Sequence, residues 1–229
     1  MGEQPAPAAL GHPLHLKNPP VTRLSIFPLP GALLFPRAML PLHIFEPRYR
    51  ALISDAMARD RRIGMIQPRD PEQRSPALFD IGCVGHIADI EMLDDGRFDI
   101  VLEGLSRFRV VQELTVDTPF RQIEADMSDF STDGHTPDPL AIILRAELER
   151  EARRYASAKG YSIDWEAVGR LDDEGLVNGI AQVAPFDGAT KQALLEAPDI
   201  AARADLTIQF LRFFRLDERD DDGHGATLQ

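Results

Sequence analysis

The sequence has almost no cysteine, no long apolar run and too few bases to balance its acids, and each shortage removes a class of protein. One cysteine in 229 residues, Cys83, excludes an internal disulfide and points to a reducing, cytoplasmic setting. No apolar run approaches the roughly 20 residues that span a bilayer. The opening MGEQPAPAALGHPLHLKNPP lacks the basic region and apolar stretch of a secretion signal. The chain is therefore expected to be soluble, with no membrane contact. Bases number 25 against 37 acids, a net charge of −12. A phosphate backbone repels such a chain, so nucleic acid is a poor partner despite the local cluster Arg59, Arg61 and Arg62.

Catalytic signatures are missing as well. There is no G-x-x-x-x-G-K-[ST] loop to cradle a triphosphate and no G-x-G-x-x-G, H-E-x-x-H, C-x-x-C or G-x-S-x-G. Cys83 lies in the apolar run Ile81-Gly82-Cys83-Val84-Gly85 and reads as a buried structural thiol, because a nucleophile needs a nearby base and a lowered pKa. His12 and His15 are three apart, but Pro13 prevents a helix between them and no Cys or carboxylate completes a metal site. His43 and His86 read as half-buried, satisfied histidines. The acid pairs Asp94-Asp95 and Asp172-Asp173 suit a turn and a helix cap better than acid–base chemistry. No catalytic residue, metal or cofactor is assigned.

What is present changes character once along the chain. Residues 1–21, with five prolines, read as a flexible arm, and residues 218–229 as a disordered acidic tail. Residues 22–130 are extended and turn-punctuated. Prolines 28, 30, 36 and 41 forbid helix and allow only edge or irregular pairing. Ile81 to Met92 reads as a long strand, Asp94-Asp95-Gly96 as a turn, and Phe98–Leu102 and Arg107–Val111 as further extended runs, with Phe108 and Val110 facing a core. One helix interrupts them, opening at Pro47 and burying Tyr49, Leu52, Ile53, Ala56 and Met57.

Residues 131–137, Ser-Thr-Asp-Gly-His-Thr-Pro, form the expected linker and exposed connection. Residues 138–217 then read as a helical bundle. Its first helix is expected to be capped by Asp138 and lined by Leu140, Ile143, Leu144, Leu148, Ala152 and Tyr155. Others follow near Asp173–Ala184, Ala189–Glu196 and from Asp199. Phe210, Phe213, Phe214 and Leu216 widen the apolar face of the last helix. Burial on two sides and an exposed docking face are both open readings.

Three stretches together resemble a known family. The first runs from Phe27-Pro28-Leu29-Pro30-Gly31 to Leu40-Pro41-Leu42-His43-Ile44-Phe45-Glu46-Pro47-Arg48-Tyr49-Arg50. The second joins Ile81–Gly85 to Val101-Leu102-Glu103-Gly104-Leu105-Ser106-Arg107-Phe108. The third holds Leu176-Val177-Asn178, Ala184-Pro185-Phe186, Lys191–Glu196 and Arg203. In order and spacing these are similar to the amino-terminal, substrate-binding domain of Lon proteases, over about residues 22–217. The resemblance implies an α+β fold: a twisted, barrel-like amino-terminal β domain of the PUA-like kind with one helix, then a carboxy-terminal helical bundle. It also implies a stand-alone, non-catalytic form without the ATPase and peptidase parts.

The expected partner is an unfolded or extended polypeptide, or a partner protein for which the chain acts as an adaptor. The alternative is a small-ligand or weak nucleic-acid binder on the barrel surface. The candidate peptide-binding surface is Phe35, His43, Phe45, Arg48 and Arg50, where prolines interrupt the ladder and leave backbone groups seeking partners; for Phe35 and Phe45 a place in the barrel core is the competing reading.

Overall fold

The computed structural model describes residues 21–73 and 75–221, with side chains as far as Leu216. The expected arm (apart from Val21), the His12–His15 pair and residues 222–229 of the expected acidic tail lie outside the described residues, whereas 218–221 of that tail continue the last helix.

Six strands form one sheet: β1 (Thr22–Pro28), β2 (Met39–Ile44), β3 (Arg62–Ile66), β4 (Ile81–Met92), β5 (Phe98–Leu114) and β6 (Gln122–Asp126). The order is β2-β5-β4-β3-β1-β6, and β6 returns to pair with β5, so five strands close into a ring with β2 on the outside. The length of β5 makes this closure. Its first half, Phe98 to Glu103, pairs with β2, and its last part, Arg109 to Leu114, pairs with β6. Only the β1–β3 contact is parallel. Pro41, which has no donor, sits in the edge strand β2, where one ladder partner suffices.

Leu24, Ile26, Ile66, Val84, Phe108, Ile123 and Ala125 form one buried cluster of the ring. Helix α1 (Pro47–Met57) packs into a second, larger core, with Pro47 in the first turn and Tyr49, Leu52, Ile53 and Ala56 buried. Phe27 and Tyr49 meet there at a tilt of 41°, with ring centroids 4.1 Å apart.

The second half holds α2 (Ile142–Ala158), α3 (Trp165–Gly169), α4 (Asp173–Val183), α5 (Gly188–Glu196) and α6 (Ile200–Asp221). Asp164, Asp172, Asp187 and Asp199 each accept a backbone N–H at the start of α3, α4, α5 and α6, respectively. Leu148, Tyr155, Leu176, Val177, Leu194, Ile208 and Leu211 join the larger core that also contains Phe27, Leu33, Leu34 and Phe35.

Two expectations need correction. The first helix of this half starts at Ile142, not after an Asp138 cap, because the Asp173 carboxylate accepts the Leu140 N–H at 2.8 Å and keeps that segment extended. Ile143 is 81% exposed, since five residues before Leu148 place it about 140° around the helix from the buried stripe. The segment 131–137 is exposed at Ser131, Thr132 and Gly134 to Thr136, and is held at Asp133 and His135. Asp133 is buried against Arg107, and the Arg37 guanidinium donates to the carbonyls of Asp133 and His135. Among the described residues no helix is long and apolar enough to cross a membrane.

Candidate functional site

A line of charged and amide side chains joins the two halves. Arg107 on β5 holds Asp133 through its guanidinium at 2.7 Å and its own N–H at 2.8 Å, and donates to the carbonyls of Leu195 and Ala197. Arg203 on α6 donates to the Leu194 carbonyl and to Asn178, and covers the Phe35 ring at 4.3 Å. Burial, with Arg107 beside it, pulls the Arg203 pKa down to about 10, still far above neutrality, so its charge is kept.

Neighbouring amide and lysine side chains also hold the proline-rich segment. Lys191 Nζ reaches the Gly31 carbonyl at 2.7 Å, Gln182 reaches that of Leu33 at 3.0 Å, and Gln67 accepts the Gly31 N–H at 3.2 Å. At Gly31 and Leu33 the backbone groups are thus satisfied inside the chain. Phe35, a candidate surface residue whose competing reading is a core position, is 0% exposed beneath Arg203, because Arg203 and the larger core close over it.

The other residues of the expected surface do lie outside. Phe45 is 61% exposed and stacks on His43 at 6.2 Å. His43 Nδ1 lies 2.5 Å from Asp99, with Arg97 at 3.2 Å from the other ring nitrogen. Arg48 pairs with Glu46 at 2.9 Å and sits over the Tyr49 ring. Arg50 lies against the β4–β5 turn at Gly96. Met92, 72% exposed, ends the adjoining strand. The result is a shallow surface with one apolar ring and mostly paired charges.

A deeper feature lies in the helical half. A cavity of about 260 Å³ opens between α2, α3 and α4. Tyr155, Tyr161, Ile163, Trp165, Val168, Leu176, Ile180 and Val183 are among its walls, and no charged residue lines it. Tyr161, Ile163, Leu171 and Val183 remain exposed at its rim. Gly179 on α4 also faces it, and a Cβ there would meet nothing within 4 Å. The sequence announced α4 but neither the five-residue α3 nor the cavity. The clue was Tyr161-Ser162-Ile163-Asp164-Trp165, where apolar side chains follow the end of a helix and precede an Asp cap.

Cys83 is fully buried, and burial pushes its thiol pKa up, with Asp133 adding to the effect. Such a thiol is inert as a nucleophile at neutral pH. No group of three or more His, Cys, Asp or Glu placed to hold a metal occurs among the described residues.

Comparison with known proteins places this architecture. The model of the ATP-dependent protease La (LON) substrate-binding domain matches residues 23–212. Lon protease 2 of Myxococcus xanthus is 30% identical over 193 residues, 82% of this chain but 23% of that protein. Lon protease of Anaeromyxobacter dehalogenans (strain 2CP-C) is 29% identical over 217 residues, 92% of this chain and 25% of that protein. The chain thus spans about a quarter of the length of the curated relatives it matches. Among solved structures, the Lon N-terminal domain protein from Xanthomonas campestris superposes with a TM-score of 0.59 at 22% identity, over 84% of this chain and 98% of its own. The N-terminal domain of Mycobacterium avium complex Lon protease gives 0.59 at 17% identity, over 83% and 98%. These two likenesses concern the fold. With the family model covering nearly all of the described residues, the chain belongs to the LON substrate-binding domain family.

Proposed function

We propose that this chain binds apolar segments of extended polypeptide in the cavity between α2, α3 and α4, and does not cut them. The carrying observation is the cavity itself: concave, apolar and rimmed by exposed apolar side chains, in a member of a substrate-binding family. Its volume of about 260 Å³ is below the 300–1,000 Å³ typical of small-molecule pockets, which favours one or two large side chains over a whole drug-sized ligand. The net charge of −12 argues against nucleic acid. A reducing, cytoplasmic setting suits the single buried thiol.

A second contact surface at His43, Phe45, Arg48 and Arg50 is favoured by the exposure of Phe45 and Met92. One experiment separates the two. Fluorescently labelled peptides from an unfolded protein are titrated with the wild type, Gly179→Leu and Phe45→Ser, with thermal melts in parallel. Gly179→Leu fills the cavity and is expected to abolish binding while remaining folded, with Phe45→Ser close to wild type. The reverse pattern would move the site to the β2 surface. Purified protein is expected to turn over neither ATP nor casein, and turnover that co-purifies with it and persists in Cys83→Ala would sink the non-catalytic reading.

A further inference from the structure

Arginines crowd the last turns of α2 and the facing part of α6, an unusual concentration in so acidic a chain. Most have carboxylate partners. Arg145 pairs with Asp173 and Glu149, and Arg150, Arg154, Arg212 and Arg215 converge on Glu147 and the buried Glu151. Arg153 differs. It is exposed, and no hydrogen bond or ion pair is formed by it among the described residues, yet its guanidinium carbon is held 4.5 Å from the centroid of the Trp165 ring. A guanidinium resting on an aromatic face keeps its N–H donors available around its edge, the arrangement that receives a carboxylate in bidentate fashion.

Trp165 is also a wall of the apolar cavity, so one side chain borders both the empty apolar space and the unpaired cation. We propose that this pair reads the end of a polypeptide: the cavity takes the apolar side chain of the C-terminal residue, and Arg153 takes its α-carboxylate. The assignment rests on the reading of the cavity as a polypeptide site and adds which part of the polypeptide enters it.

The geometry favours a terminal residue over an internal acid. At a C-terminus the side chain and the carboxylate branch from the same carbon, so both lie within the width of one indole ring. An internal Asp or Glu carries its carboxylate on a neighbouring residue, whose side chain in an extended segment points to the other side. The local charges agree. Arg154 and Arg215 line a shallow depression with Arg153 and Ser157. The acids on α3 are engaged, since Asp164 caps the helix and Glu166 pairs with Arg170 at 3.0 Å.

The test uses Trp165, the only tryptophan in the sequence, as the reporter. Tryptophan-free octapeptides ending in Phe or Leu are titrated as free acid, as C-terminal amide, and as an amide with an internal Asp before the apolar residue. The free acid is expected to bind about tenfold tighter than either amide, in line with a charge-assisted hydrogen bond. Arg153→Ala should reduce the free acid to the amide's affinity while leaving amide binding and the thermal midpoint unchanged, and Arg153→Lys should restore part of the gap. A purely structural role would lower both affinities and the midpoint together. Equal binding of acid and amide by the wild type overturns the carboxylate assignment and leaves the cavity reading standing. Tight binding of the internal-Asp amide overturns the terminal assignment. Binding of none of the peptides overturns both.

Discussion

The strand half and the helical half differ most in how completely they are packed. In the ring, Phe108 fills the interior because Gly82 leaves it room: a Cβ at Gly82 would overlap the Phe108 ring, and one at Gly104 would overlap the Phe35 carbonyl. In the helical half, a Cβ on Gly179 would enter open space beside a cavity of about 260 Å³. Protein interiors are ordinarily packed without such voids. Phe108 fills the ring, and the apolar cavity sits where short helices meet under an exposed rim. The proposed binding in the helical half rests on that contrast.

The seam between the halves should give the largest effects. Asp133→Ala removes the carboxylate from a pair in which both side chains are only 6% exposed, leaving the Arg107 charge buried. A loss of about 3–5 kcal/mol is expected in urea unfolding, the usual cost of breaking a buried pair from one side. Phe35→Ala should cost a similar roughly 3–5 kcal/mol. If Phe35→Ala instead melts like the wild type and loses peptide binding, the packed description of the strand half fails.

Within the ring, Gly104→Ala should cost about 1–3 kcal/mol, the range for overpacking, because the obstructing atom is a backbone oxygen. In the helical half the acid response is smaller and has a definite sign. Burial pushes the Glu151 carboxyl up, but Arg154, Arg212, Arg150 and Arg215 together outweigh it and hold the pKa below 4.5. A lowered folded-state pKa contributes stability above the unfolded value, and this is lost as pH falls through the folded one. The stability gap between wild type and Glu151→Gln should therefore narrow as pH drops below about 4.5, read by urea unfolding at stepped pH.

Much of the fold was legible because it is local. Ile81 to Met92 announced β4 to the residue, and the proline and apolar spacing announced α1. β3 was not read, because its short apolar run follows the helix directly through the positive-φ residue Arg61. Arg107 looked like the outward member of an alternating strand. It is buried because α5 and Asp133 cover that face of β5, a contact between residues far apart in sequence. The candidate surface was half legible for the same reason. The exposure of His43, Phe45 and Arg48 follows from an edge strand and a helix start, whereas Arg50 is half-buried and Phe35 is hidden by Arg203, 168 positions further along. The cavity left no mark, since a void is a property of helices meeting and not of any one of them.

The smallest predicted effect tests the comparison most directly. Gly179 lies inside α4, where glycine costs roughly 0.5–1 kcal/mol relative to alanine because of the backbone freedom lost on folding. At a packed site a new methyl would offset that gain by strain, as expected at Gly104. At Gly179 no atom lies within reach of the added carbon, so Gly179→Ala should stabilise the chain by about 0.5–1 kcal/mol. Gly104→Ala moves in the opposite direction, and the two variants measured side by side by urea unfolding compare the same chemical change in the two halves. Destabilisation by Gly179→Ala would mean that the helices close around this position in solution. The cavity would then be filled by the chain's own side chains, and the proposed polypeptide site would lose its foundation.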